Sequence, residues 1–204
     1  MAPMTDISAI LLAAGRSRRM GTQKLLLPFA GTTVVRHVAA QVRAAAGLGP
    51  VVAVVGGADA SDVAAALARL NLTIVENPDP DGDMLSSLRC GLRALPGECA
   101  AAVVALGDQV AVRAAVIDAL IASRAAGRGG IIVPAHAGRR GHPVLIPRPY
   151  FPELLAGYDG VGLRGLLAAH AHDVYELAVA DPGVLADVDT PDDYRRAVAE
   201  AGRT

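Results

Sequence analysis

The chain has 204 residues, of which 52% are hydrophobic, 19% charged and 3% aromatic. That apolar content excludes a disordered chain and demands an aliphatic core of Ala, Val, Leu and Ile, while the scarcity of aromatics disfavours a base-stacking single-strand binder. With 19 basic against 20 acidic side chains and a formal net charge of −1, no global field recruits nucleic acid or anionic lipid, so any phosphate handling must be local.

Met1–Asp6 carries no Lys or Arg, as a secretory n-region would. The apolar stretch Ile7–Ala14 is far shorter than the roughly 20 residues that span a bilayer. A cytoplasmic protein with no membrane contact is expected. Ile7–Leu12, Val51–Val55, Leu72–Val75, Ala101–Leu106, Ile131–Val133 and Val144–Ile146 read as strands. Continuous apolar runs of this kind suit strands buried on both faces of a parallel sheet. Thr33–Ala46, Ala60–Leu70, Leu85–Leu95, Val112–Ala126 and Pro191–Ala201 read as helices. The alternation predicts right-handed βαβ units and an α/β fold. Gly138–Pro143 and Pro147–Pro149 interrupt it, so the region near 134–180 is expected to differ locally. No linker, repeat or charge run divides the chain, and residues 1–204 are expected to form one domain. Cys90 and Cys99, spaced Cys-x8-Cys with no paired His, read as small semi-buried hydrophobes rather than a disulfide or zinc pair.

The most informative segment is the turn after the first strand, Leu11-Leu12-Ala13-Ala14-Gly15-Arg16-Ser17-Arg18-Arg19-Met20-Gly21, followed by Lys24. Its small residues let backbone N–H groups approach a ligand closely. Its four cations, Arg16, Arg18, Arg19 and Lys24, suit a polyphosphate at the carboxyl end of a strand, although a solvated basic loop would look similar. The loop matches neither G-x-x-x-x-G-K-[ST] nor G-x-G-x-x-G. Asn77 to Leu88, with Ser86 and Ser87, lies between a strand and a helix. Its polar side chains either contact a base or cap the helix, Asp83 being one cap candidate. Gly107-Asp108-Gln109 follows an apolar strand, and Asp108 there either holds a hard cation such as Mg²⁺ or caps a turn. Arg139-Arg140-Gly141-His142-Pro143 carries guanidinium groups, which can pair bidentately with a phosphate. His142 could position that group or take a proton. Thr190, Pro191, Asp192 and Asp193 form a strong helix start. That leaves Asp187 and Asp189, only one of which is expected to face a metal.

Leu-Ala-Ala-Gly-x-Ser-x-Arg-Met-Gly with Lys24-Leu-Leu-Leu-Pro28 resembles the signature loop of sugar-nucleotide-pyrophosphorylase-like nucleotidyltransferases. Within them it most resembles the molybdenum-cofactor cytidylyltransferase branch. Asn77-Pro78…Met84-Leu85-Ser86-Ser87-Leu88, Gly107-Asp108-Gln109, Arg140-Gly141-His142-Pro143-Val144-Leu145, Asp159 to Arg164 and Asp187-Val188-Asp189-Thr190-Pro191 are similar to further motifs of that family, in its order. Asp83 and Leu85 stand where the pattern has Gly and Ser, and Val110 replaces a Pro. The resemblance spans about residues 7 to 197. It implies a Rossmann-like three-layer α/β/α nucleotidyltransferase fold with a mostly parallel sheet. It also implies Arg19, Lys24 and Asp108 as catalytic residues, and a nucleotide held by Leu12, Ala13, Ala14, Gly15, Arg19, Lys24, Ser86 and Ser87. Asp108 and Asp189 would bind Mg²⁺, and Arg140, His142 and Arg164 would bind the acceptor. The implied reaction transfers a nucleotide from CTP to a phosphorylated acceptor, the molybdenum cofactor, with release of diphosphate and transient contact with a recipient molybdoenzyme. Ala14 in place of a second Gly leans towards CTP over GTP. GTP or another phosphorylated acceptor, a nicotinamide-dependent oxidoreductase and a non-catalytic cofactor-delivery protein are the alternatives.

Overall fold

The computed structural model describes residues 6–15, 17, 20–79 and 81–202. Ten strands run in chain order: β1 (Ile7–Ala13), β2 (Pro28–Phe29), β3 (Thr32–Thr33), β4 (Val51–Gly56), β5 (Thr73–Asn77), β6 (Ala101–Leu106), β7 (Ile131–His136), β8 (Arg139–Arg140), β9 (Val144–Pro147) and β10 (Val174–Ala178). The helices are α1 (Val34–Ala44), α2 (Ala60–Leu67), α3 (Met84–Ala94), α4 (Ala114–Ala125), α5 (Phe151–Ala156), α6 (Gly162–Ala169) and α7 (Pro191–Ala201).

The central sheet has the order β10-β7-β9-β6-β1-β4-β5, with β8 paired to β7. β1 pairs in parallel with both β4 and β6, and β4 with β5. From β1 the chain first builds outward through β4 and β5, then returns to lay β6 on the other side. That reversal opens a crevice outside the carboxyl ends of β1 and β6, where ligands of open α/β sheets bind. Leu12 is in register with Leu106, so the loops after these two strands start level with one another.

The strand period of two builds a core on each face. Ala9 and Leu11 of β1 face the side packed by Val38, Val42 and Leu120 of α1 and α4. Ile10 and Leu12 face the side packed by Leu88, Leu154 and Leu166 of α3, α5 and α6. Helices cover both faces of the sheet, giving the expected three-layer, mostly parallel α/β/α fold. No helix among the described residues is long and apolar enough to cross a membrane.

The structure departs from the sequence reading in four places. Val144–Pro147 is antiparallel to β6 and β7, not parallel. Only seven residues separate His136 from Val144, too few for the crossover of a dozen or more that a parallel pair needs. β5 is an edge strand with Thr73, Ile74 and Glu76 exposed, not a strand buried on both faces. α2 stops at Leu67 because Arg69 and Asn71 take positive φ angles of 67° and 53°, which a right-handed helix cannot include. The interrupted region near 134–180 contains α5, α6 and β10, for which no element was expected. α5 and α6 have six and eight residues, and half-exposed β10 carries no apolar run.

Candidate active site

After β1 the backbone turns through Ala14 and Gly15 into a loop held by its own side chains. Gln23 is the hub. It caps the short 3₁₀ turn Lys24–Leu26, accepts from the Ser17 hydroxyl at 2.9 Å, and donates through Nε2 to Asp59 Oδ2 at 3.0 Å. Ser17 Oγ in turn accepts from the Lys24 backbone N–H at 3.0 Å. Leu25 is buried in the core, so the same turn that anchors Leu25 directs Lys24 inward. Arg19, with Arg16 and Arg18, lies outside the described residues.

On the neighbouring strand, Gly107 donates its N–H to Leu12 O at 2.9 Å. A Cβ at Gly107 would stand only 3.0 Å from that oxygen, so the close approach needs glycine. Asp108 follows at once and accepts Val188 N–H on its backbone oxygen at 3.2 Å. Val188 is buried in the core and fixes the segment before α7. Asp189 then stands one residue before Thr190, whose hydroxyl caps α7 in a capping box with Asp193.

These loops converge on one ammonium. Lys24 Nζ contacts Asp108 Oδ2 and lies 2.8 Å from Asp189 Oδ1. Lys24 is the one charged side chain among the buried described residues. Burial alone would lower its pKa; Asp108 and Asp189 outweigh that, and the ammonium titrates above the usual lysine value. Two carboxylate oxygens from separate loops thus already grip a compact cation. Such hard donors fit Mg²⁺, which commonly takes one or two carboxylates and completes its shell with water and phosphate. No group of three or more His, Cys, Asp or Glu among the described residues is arranged to hold a metal.

Asp187 and Asp189 part company. The backbone over 186–189 is irregular rather than a strand, and Asp187 Oδ1 accepts from Gln109 Nε2 at 2.6 Å. Only Asp189 of the two shares the Lys24 ammonium with Asp108. Gln109 is itself 2% exposed, and its Oε1 has no partner.

The cleft has a volume of about 370 Å³. Leu12, Ala14, Gly15, Lys24, Ser87, Asp108 and Asp189 of the sequence-predicted set line it, together with Asp83 and Met84. Ala13 is buried in the core and does not line the cleft. Asn77, 4% exposed, lies behind Ser87: its Nδ2 donates to Ser87 Oγ at 3.1 Å and to Ser86 Oγ at 3.0 Å, and Ser86 does not itself line the cleft. Gly82 packs against this cluster, where a Cβ would come within 2.7 Å of Asn77 Nδ2. Asp83 caps α3 through the Ser86 N–H at 2.8 Å, and Leu85 is buried in the core. Both departures from the family pattern therefore have structural roles here.

The three acceptor candidates lie outside the cleft wall. Arg140 is exposed and pairs through Nε with Glu176 Oε1 at 2.7 Å. Arg164 is exposed on α6, whose preceding loop is tied to α3 by the Arg89–Asp159 pair at 2.7 Å. His142 is half-buried; burial lowers its pKa, against the pull of the Asp187 and Asp108 carboxylates. The sequence reading missed Gln23, which lies beside Lys24 of the first motif, and it quoted Asn77 and Gln109 within motifs without giving either a role.

The doubly wound sheet, with its lined crevice at the switch point, defines an α/β protein built to bind a small ligand there. The comparisons with known proteins narrow this class. Residues 9–174 match the model of the MobA-like NTP transferase domain. The molybdenum cofactor cytidylyltransferase of Escherichia coli (strain K12) is 27% identical over 192 residues, which are 94% of this chain and 95% of that protein. The crystal structure of Rv0371c from Mycobacterium tuberculosis H37Rv is 37% identical, with a TM-score of 0.83, over 96% of this chain and 98% of that one. A structure of the same protein in complex with manganese is 34% identical, with a TM-score of 0.77, over 95% and 98% of the two chains. The chain belongs to the MobA-like NTP transferase family and is a nucleotidyltransferase.

Proposed function

We propose that this nucleotidyltransferase is a CTP- and Mg²⁺-dependent cytidylyltransferase whose acceptor is the molybdenum cofactor, acting in the cytoplasm as one domain over residues 1–204. The observation that carries the reading is the meeting of Lys24, Asp108 and Asp189 beneath the Ala14–Gly15 loop. The Escherichia coli relative, named for the same reaction, supports the choice of nucleotide and acceptor. The Leu12-Ala13-Ala14-Gly15 form of the loop points the same way.

In this reading an oxygen of the acceptor phosphate attacks the α-phosphorus of CTP in line. A P–O bond forms there, and the P–O bond to the leaving diphosphate breaks. Asp108 and Asp189 would hold Mg²⁺, which would supply neutralising charge at the phosphates. Lys24, with Arg19, balances the charge that develops on the departing β- and γ-phosphates. The backbone from Leu12 to Gly15 and the Ser86–Ser87 segment hold the nucleoside. Gln109 and Val188 keep the two aspartates in place. Arg140, His142 and Arg164 serve the acceptor, and the product passes to a molybdoenzyme. A phosphate monoester is already an anionic nucleophile, so no general base is required. Positioning and electrostatics carry the rate.

The test is a thermal-shift panel of CTP, GTP and NAD, each with and without Mg²⁺, paired with diphosphate release in the presence of the acceptor. A ligand that binds only the native state stabilises it by about 2.7 kcal/mol at 100-fold saturation. Magnesium-dependent stabilisation by CTP above GTP, with diphosphate release, is the expected result. A GTP preference would overturn the nucleotide assignment, and stabilisation without Mg²⁺ would overturn the metal assignment.

A further inference from the structure

Lys24 is the only lysine in the sequence, all other basic positions being arginine. That lysine stands where a cation is shared between two carboxylates from different loops. A guanidinium is a planar fork that suits one carboxylate edge; an ammonium is a compact charge on a flexible stem. The ammonium stands between Asp108 and Asp189, the two carboxylates that would hold a metal in the reading proposed above.

We infer that Lys24 is the resident counter-ion of these carboxylates in the nucleotide-free protein, and that metal entry and lysine departure form one exchange driven by the nucleotide. The inference rests on the metal reading proposed above. Both cations cannot stand between the same two oxygens. The Lys24 side chain is only 10% exposed, so leaving its carboxylates without a new anion would strand a charge in a poorly hydrated place. A free metal ion offers no such anion. A triphosphate does, because Lys24 lines the same cleft as Gly15, Ser17 and Ser87. The nucleotide-free site therefore resists divalent metal, and nucleotide and metal each strengthen the other's binding by the same factor.

The experiment follows Mn²⁺ binding by the electron paramagnetic resonance of the free ion. It uses the full chain, with and without the non-reacting α,β-methylene analogue of CTP, after correction for Mn²⁺ held by the analogue. Lys24→Met is expected to bind Mn²⁺ without nucleotide at least about tenfold more tightly than wild type, and the analogue to raise wild-type affinity by at least a similar factor. Lys24→Gln, which keeps a hydrogen-bond donor without the charge, serves as a second variant, with circular dichroism checking both folds. Wild type supplies an independent readout, since ε-¹³C lysine labelling gives one side-chain resonance. Mg²⁺ alone, at concentrations that saturate Lys24→Met, should leave that resonance in place; Mg²⁺ with the analogue should move it. Equal Mn²⁺ affinity in wild type and both variants would overturn the exchange, as would a resonance shifted by Mg²⁺ alone. If neither wild type nor variants bind Mn²⁺ under any condition, the metal reading falls and the exchange falls with it.

Discussion

Asp108→Asn is the sharpest single perturbation of the site. It preserves size and an accepting oxygen but removes one of the two charges facing Lys24. Stranding a fully buried charge costs about 3–5 kcal/mol. Here Asp189 stays 2.8 Å from the ammonium, and its side chain is 40% exposed, so water and the remaining carboxylate moderate the loss. A destabilisation of about 1–2 kcal/mol is expected, which for a chain of this size lowers the melting midpoint by about 2–8 °C. Activity should fall much further. Loss of a group that organises charge at the reacting phosphorus is worth roughly 10³-fold in kcat, or about 4 kcal/mol of barrier. Diphosphate release and thermal unfolding, measured on the same preparation, separate the two effects. A folded variant that releases diphosphate within about threefold of the wild-type rate, less than 1 kcal/mol of barrier, would refute the placement of Asp108 at the reacting centre.

Two further substitutions probe the supports. Gln109→Leu removes a charge-assisted bond to Asp187 worth about 1.5–3 kcal/mol, but also an unpartnered buried oxygen whose penalty is about 1–3 kcal/mol. Stability should therefore change by no more than about 1 kcal/mol, while a loosened 187–189 segment lowers kcat by about 10- to 100-fold; a kcat equal to wild type would show that Asp189 needs no such support. Asp193→Asn tests α7: the Thr190 hydroxyl holds the Asp193 carboxyl below the ordinary carboxylate range, so the charged form stabilises the fold above the unfolded pKa. The stability gap between wild type and variant, about 1 kcal/mol at neutral pH, should stay level down to about pH 5 and close as the pH falls below about 4. A gap that widens in acid would reverse the assigned sign.

Much of this protein is legible in its sequence because local chemistry repeats locally. The apolar runs that became β1, β4 and β6 announce buried strands by composition alone, and Thr190-Pro191-Asp192-Asp193 announces a capped helix. The glycine-bracketed cations after β1 and the aspartates after apolar runs are the sequence features on which the proposed polyanion site rests. The tertiary structure decided what depends on partners distant in the chain. β9 turned antiparallel because a short connection forbids a crossover, which no strand composition records. Asp187 and Asp189 look alike in sequence, yet one is taken by Gln109 and the other by Lys24. Lys24 reads from sequence as a phosphate-binding cation, and only the fold shows the ion pair that joins it to Asp189 across 165 residues. Such pairings follow from the sheet order that brings the β1 and β6 loops level, and that order is a property of the packed chain rather than of any one segment.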